Sequence, residues 1–150
     1  MDELKLMALD AEDLGIVSAH VQDAVFKPAG IEYLPRLSTF ALVLNRFVWE
    51  KAGEIKKAGK AKGYERRRAV LSFRRVLSVR SIGFARGDDE TVLSLLALRF
   101  TPRGEGPEGT LELTLAGEAT IALDVECIEV QLADTGGAWE TAFKPRHPQD

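Results

Sequence analysis

Residues 51–68 carry the most distinctive chemistry in this sequence, because eight basic side chains fall there beside only two acidic ones. The segment has a net charge of +6, whereas the whole chain has a net charge of −3. Clustered Lys and Arg side chains bind nucleic acids by releasing condensed counterions, and they are attracted to anionic lipid surfaces. The segment therefore predicts an anion-binding loop for RNA, DNA or an anionic lipid. The predicted site residues are Lys56, Lys57, Lys60, Lys62, Arg66, Arg67 and Arg68.

The same charges also have an interpretation that needs no ligand. Lysine side chains commonly protect the exposed edge of a sheet from pairing with other chains. Residues 51–63 contain three glycines and five lysines without a periodic apolar pattern, which is typical of a loop. The sequence leaves both interpretations open, and Tyr64 adds one aromatic ring that could stack on a base.

Histidine and cysteine do not form a catalytic or metal-binding pattern in this sequence. His20 lies one helical turn before Asp23, which can orient an imidazole, but the other histidine, His147, lies in the last residues. Two histidines are too few for a three-histidine metal site. Cys127 is the single cysteine, so an intramolecular disulfide is excluded, and we expect a buried, unreactive thiol.

Carboxylates cluster twice, in the turn Asp88-Asp89-Glu90 and at Asp124, Glu126 and Glu129. A hard cation such as Ca²⁺ needs six or more converging oxygens, and neither cluster has the loop spacing that would supply them. The sequence therefore predicts no metal site and no cofactor.

Sequence motifs for nucleotide binding and hydrolysis are also missing. The chain contains no GxxxxGK[ST], GxGxxG, GxSxG or HExxH pattern. We predict that the protein is not an enzyme. A rival hypothesis, an enzyme that uses Asp124, Glu126 and His20, requires that folding bring two predicted helices together.

Length and composition indicate a single globular domain spanning residues 1–150. A chain of 150 residues buries enough surface to hold one core without disulfides, and 45% hydrophobic with 29% charged residues is ordinary for globular proteins. The first seven residues lack the basic start and apolar run of a secretory signal. The apolar runs are also shorter than the roughly 20 residues that cross a bilayer, so we expect no transmembrane segment and a cytoplasmic location.

Two helices are predicted, one at each end of the domain. Asp10 suits the N-cap of a helix over residues about 10–24, in which Leu14 and Val17 share one apolar face. A second helix over residues about 125–135 would follow Asp124 and bury Ile128, with a tail at residues 138–150.

About seven strands are predicted between residues 25 and 124. Residues 39–49 give the strongest strand signal, and residues 65–84 read as two strands separated by a turn or bulge at Arg74-Arg75. Residues 25–37, broken by prolines, are expected to form a short, irregular edge strand. Residues 91–100 and the hairpin at residues 110–123 complete the set. The strands follow one another without helical crossovers, which predicts an antiparallel sheet.

This order of elements resembles the pleckstrin-homology-like barrel, with an extra N-terminal helix. The likeness rests on the SFRRVLSVRS step between two strands and on LDVECIEVQLADTG as a C-terminal helix that caps the barrel. It implies a mainly β (α+β) fold, an antiparallel barrel of about seven strands. Basic residues in many lipid-binding barrels follow the first strand, whereas here that loop has only Arg36, so phosphoinositide binding is not implied.

The segments YLPRLSTFALVLNRFVWE, RRRAVLSFRRVLSVRS, VLSLLALRF and LDVECIEVQLADTGGAW resemble a family of small uncharacterised bacterial proteins, a domain of unknown function. This resemblance covers nearly the whole chain and implies a cytoplasmic bacterial protein without known catalytic residues.

Taken together, these features predict a non-catalytic binding or scaffolding module for a protein partner. The alternative is a nucleic-acid or anionic-surface binder that uses residues 51–68. A homodimer is also conceivable through an unpaired strand at residues 25–34 or 91–100.

Overall fold

The computed structural model describes residues 3–48, 66–83 and 91–135. These residues form ten strands and one α-helix, α1 (Ala11–His20), with short 3₁₀ helices at Pro28–Gly30 and Pro35–Leu37. The strands are β1 (Lys5–Ala8), β2 (Ala24–Phe26), β3 (Ile31–Leu34), β4 (Thr39–Phe47), β5 (Arg66–Phe73), β6 (Val76–Ile82), β7 (Leu93–Pro102), β8 (Gly109–Leu115), β9 (Ala119–Val125) and β10 (Val130–Asp134).

All strand pairs of the described residues are antiparallel. The strand order is β1-β10-β5-β4-β2-β7-β8-β9-β6, and β3, which is not in this order, pairs with β4. The prediction of a mainly β, antiparallel fold is confirmed. The prediction of a closed, seven-stranded barrel is wrong, because within the described ranges there are ten strands and the order ends at β1 and β6. Three strands are additional to the prediction. β1 is short, the 3₁₀ helix at Pro28–Gly30 divides one expected strand into β2 and β3, and β10 replaces a predicted helix.

Helix α1 begins where predicted and ends earlier. The Asp10 side chain accepts a hydrogen bond from the backbone N–H of Asp13 at 2.8 Å, which confirms Asp10 as the N-cap. The helix stops at His20 rather than at residue 24, because Asp23 takes a positive φ of 66° and Ala24 begins β2. The Ser18 side chain accepts a hydrogen bond from the N–H of Leu98 at 3.0 Å, which holds α1 against β7. Close to this contact, a bulge at Leu96 interrupts the pairing of β7 with β8.

The predicted C-terminal helix over residues about 125–135 is not found. Residues 119–125 instead continue as β9, residues 126–129 turn the chain, and residues 130–134 form β10 between β1 and β5. β10 pairs with β1 on one side and with β5 on the other. Its side chains Val130 and Leu132 are buried at the two-residue period of a strand. Asp124 lies in β9 with its side chain bonded across strands, which leaves it no role as an N-cap.

The expected dimer edges are also placed differently. β7, which holds most of residues 91–100, lies between β2 and β8, and β2 lies between β4 and β7. Neither β2 nor β7 is an edge. β3, which holds residues 31–34 of the other predicted segment, is paired only to β4, so this part of the prediction does lie at an edge. The strand order of the described sheet ends at β1 and β6.

The core is formed by the alternate inward side chains of the strands, including Phe40, Leu42 and Leu44 on β4 and Leu71 and Phe73 on β5. At the next inward position of β4 stands a charge, Arg46, which is fully buried. Its guanidinium donates from Nε to Asp134 Oδ1 at 2.8 Å and from Nη2 to Asp134 Oδ2 at 2.9 Å.

The carboxylate of Asp134 interacts with groups from several neighbouring segments. It also accepts a hydrogen bond from the backbone N–H of Leu4 at 3.0 Å, and Arg67 lies 3.8 Å from Oδ2. Burial acts to raise the pKa of Asp134, but the hydrogen bonds from Arg46 and Leu4 outweigh it, so this pKa lies below its ordinary value. The pair therefore ties the end of β10 to β4 and to the start of β1.

We expect the Asp134→Asn variant to unfold more easily by about 3–5 kcal/mol, because it leaves the Arg46 charge buried and uncompensated. Urea denaturation of both proteins measures the difference. The matched double variant, Arg46→Met with Asp134→Leu, removes both charges and should lose less than the single variant. A single variant within ~1 kcal/mol of the parent protein would contradict the structural role of the pair.

The same pair predicts a dependence of stability on pH. An unfolded Asp titrates near pH ~3.9, and the folded pKa of Asp134 is lower, so its stabilising contribution is present above about pH 4 and is lost as the pH falls through the folded pKa. We expect the free energy of unfolding to fall on acidification below about pH 4, and to fall less steeply in Asp134→Asn. Glu118→Gln, which removes a carboxylate from an exposed turn, serves as the control and should keep the parent slope. Equal slopes in all three proteins would contradict the assignment.

Candidate interaction surface

The predicted basic site is only partly within the described residues. Lys56, Lys57, Lys60 and Lys62 lie outside them. Arg66, Arg67 and Arg68 begin β5, which pairs antiparallel with the end of β4. The described part of the predicted site therefore stands on regular strand backbone.

The three arginines have different environments because successive side chains of a strand point to opposite faces. Arg66 is exposed, and its guanidinium carbon lies 4.3 Å from the centre of the Phe47 ring, a cation–π contact. Arg68 is also exposed. Arg67 turns inward, its side chain is 13% exposed, and it faces Asp134. Arg67 therefore belongs to the buried ion-pair group, and Arg66 and Arg68 alone extend the basic surface.

Three turns meet at the other end of β4 and β5. The N–H of Val76 donates to the carbonyl of Ser38, the N–H of Arg74 donates to the carbonyl of Glu129, and the N–H of Glu126 donates to the carbonyl of Arg75, each at 2.9 Å. These bonds hold the 3₁₀ helix Pro35–Leu37, the Arg74-Arg75 turn and residues 126–129 together. Their relative positions are thus fixed by backbone hydrogen bonds.

Large apolar side chains are exposed at this end. Leu37 is 67% exposed and Leu77 is 53% exposed, and each adjoins one of the two residues joined by the Val76–Ser38 hydrogen bond. Leu34 is also exposed. The exposed arginines Arg36 and Arg74 lie on the same turns. We name this set of five residues, Leu34, Arg36, Leu37, Arg74 and Leu77, the Leu37–Leu77 surface.

A bulge explains why Leu77 points to solvent. The register of β6 against β9 shifts between Val76 and Ser78, which leaves Leu77 as the extra residue. Regular strand alternation would turn inward either Leu77, Val79 and Ser81 or Val76, Ser78 and Arg80. The structure buries Val76 and packs Val79 partly against the core, so the bulge lets both contribute and excludes Leu77.

Asp124 organises the outer face beside this surface. Ser78 donates to Asp124 Oδ2 at 2.8 Å, and Thr110, Arg103 and Arg80 donate to Oδ1 at 3.0, 3.0 and 3.2 Å. The hydrogen bond from Ser78 is the main cause that lowers the pKa of Asp124; partial burial opposes it, and the other three donors lower it further. This carboxylate is thus engaged as an acceptor from four side chains.

The residues of the rival enzyme hypothesis occupy separate elements. Asp124 lies on β9 and Glu126 in the following turn, so the second helix that should carry them does not exist. His20 closes α1, where its Nδ1 lies 2.9 Å from the carbonyl of Ile16. Among the described residues, no group of three or more His, Cys, Asp or Glu side chains could hold a metal ion.

The surface has two further features, a free thiol and a polar cleft. Cys127 is partly exposed in the turn of residues 126–129 rather than buried, which corrects the expectation of a buried thiol. A cleft runs across the outer face of β1, β10 and β5, lined by polar side chains that include Lys5, Ser72, Arg74 and Gln131.

Within the described ranges, no helix is long and apolar enough to cross a membrane.

Comparison with known proteins found one family. Its model, described as a protein of unknown function (DUF2948), matches residues 4–147. A search of curated proteins and a search of solved structures gave no match.

Proposed function

Because the chain belongs to the DUF2948 family, whose description assigns no activity, we propose a function from the geometry: the protein is a non-catalytic module that binds a protein partner. The Leu37–Leu77 surface carries this proposal. Cys127, as a partly exposed free thiol, suits a reducing compartment, and we place the module in the cytoplasm.

Exposed leucines in neighbouring turns support a contact surface. Single exposed apolar residues are ordinary, whereas apolar side chains gathered at one place and rimmed by polar groups mark interaction sites. Arginine is enriched in protein interfaces relative to the remaining surface, and Arg36 and Arg74 supply it here. The turns that carry these residues are held by three backbone hydrogen bonds, so a partner would meet a preorganised surface.

The roles of the ionised groups support a non-catalytic module. Asp134 is engaged by Arg46 and the Leu4 backbone, and Asp124 is engaged by four side chains. Both carboxylates have lowered pKa values, which suits ion pairing better than proton transfer near neutral pH.

Site-specific photo-crosslinking tests this proposal. A photoreactive amino acid replaces Leu37 or Leu77 in the full chain, and Ile16, which is 49% exposed on α1, provides the matched control position. We expect the same protein to be crosslinked from Leu37 and Leu77 and not from Ile16. The recombinant partner, identified by mass spectrometry, should then bind about tenfold more weakly to Leu37→Lys and Leu77→Lys, and unchanged to Ile16→Lys. Equal crosslinking from all three positions, or none, would remove the proposal.

A second candidate function is binding of nucleic acid or an anionic lipid surface through residues 51–68. The net charge of +6 favours it, and the exposed Arg66 and Arg68 extend the basic segment along β5. Arg66 also lies against the Phe47 ring, an arrangement that keeps a guanidinium in a fixed position.

Labelled RNA, DNA and anionic vesicles test this candidate at low and high salt. For about four phosphate contacts, we expect affinity to fall roughly hundredfold between ~50 and ~200 mM salt. Changing Lys56, Lys57, Lys60 and Lys62 to Ser should abolish binding; Arg67 is kept, because it contacts Asp134. A control variant removes the same charge elsewhere, by changing Lys5, Arg36, Arg74 and Arg99 to Ser. Absent or salt-independent binding, or equal loss in the control, would exclude this candidate.

A further inference from the structure

Strand β6 ends the strand order and has one paired side. β9 pairs with it from Val76↔Val125 to Ile82↔Thr120, and on its other side no strand of the described residues pairs with it. The N–H of Val76 already donates to the carbonyl of Ser38, so the open edge begins at Leu77. Alternate residues of such a strand direct their backbone N–H and C=O groups away from the sheet. Their hydrogen-bonding capacity is complementary to another extended chain, which limits the class of occupant to a β-strand.

The charge on β6 selects among extended chains. Residues 74–82 contain three arginines, Arg74, Arg75 and Arg80, and no carboxylate. Arg75 pairs with Glu126 and Glu129, and Arg80 pairs with Asp124, but the side chains of Arg75 and Arg80 remain 59% and 57% exposed. A second copy aligned antiparallel along β6 would bring the same arginines to one shared edge, and like charges opposite each other destabilise a strand pair. A strand that carries Asp or Glu would place opposite charges there. The edge therefore favours an acidic segment of another protein over a second copy.

Apolar side chains near both ends of β6 set a second requirement for the sequence of an added strand. Leu77 projects at the bulge near the start, and Ile82 is 71% exposed at the end. An added strand that carries apolar residues near these two positions would cover them. Leu77 also belongs to the Leu37–Leu77 surface, so the edge and that surface are continuous.

We propose that β6 binds an extended, acidic segment of a partner protein by accepting it as an additional antiparallel or parallel strand of the sheet. This inference rests on the proposed protein-binding function and states its recognition mode. Backbone hydrogen bonds provide the common contact, and Arg74, Arg80, Leu77 and Ile82 provide the selectivity.

A random-peptide display selection on the full chain tests the inference. We expect enriched peptides to combine Asp or Glu with alternating apolar residues. The best synthetic peptide should protect backbone amides within residues 77–82 from hydrogen exchange, and its affinity should fall at least tenfold when its carboxylates become amides. Enrichment of non-acidic sequences, no enrichment, or protection elsewhere in the chain would overturn the inference.

N-methylation of the peptide separates strand addition from side-chain contact without altering the protein. Methylating one alternate set of peptide nitrogens should weaken binding at least tenfold, because those N–H groups face β6. Methylating the other set should change affinity less than threefold. Equal effects of the two sets would overturn strand addition.

Two outcomes distinguish this inference from the proposed function. A protein crosslinked from Leu37 and Leu77 without amide protection in β6 would overturn strand addition and keep the protein-binding function. Concentration-dependent dimers with protected β6 amides would identify a second copy as the occupant and would overturn the acidic-partner inference.

Discussion

A buried charge that must be neutralised determines much of this structure. Arg46 occupies a core-facing position of β4, and a guanidinium there is tolerated only with a partner that satisfies its donors. Asp134 meets that need in a bidentate geometry, and its remaining acceptor capacity is used by the Leu4 backbone. The end of β10 is thus fixed between β5 and β1. A C-terminal helix would leave Arg46 without this carboxylate in place.

The two ends of β4 and β5 differ in what their charged and apolar side chains contact. Around Asp134, the charged side chains of Arg46 and Arg67 serve the fold, so basic residues there are only partly available to a ligand. At the opposite end of β4 and β5, the turns are held by backbone hydrogen bonds, and the side chains of Leu37 and Leu77 are left exposed. The positions of these turns therefore depend on backbone hydrogen bonds rather than on the exposed leucine side chains.

Local sequence signals predicted the elements whose neighbours do not change the preferred conformation. Spacing and turn chemistry predict the Asp10 cap, a strand at residues 39–49, a break at Arg74-Arg75 and a hairpin at residues 110–123. The structure has the cap, β4, the start of β6 and the β8–β9 hairpin at these places. Residues 125–135 were misread because Val125, Ile128 and Leu132 fit a helical period while Val130 and Leu132 fit a strand. The outcome depended on pairing with β1 and β5, which are distant in sequence. The exposure of Leu77 likewise depends on a bulge. The inward position of Arg67, by contrast, follows from the alternation that also buries Ala69 and Leu71 on β5.

An open sheet edge that binds another chain must also avoid pairing with identical copies of itself. Natural edges are protected from their own copies by charges and bulges, and β6 has both, in Arg80 and at Leu77. The same devices need not exclude every strand, because a charge that repels an identical edge attracts an edge of opposite sign. Arg80 is held toward Asp124, and Arg75 is held toward Glu126 and Glu129, so their positions are defined before any partner arrives. Repulsion between copies and attraction to acidic chains are therefore two consequences of one arrangement of arginines.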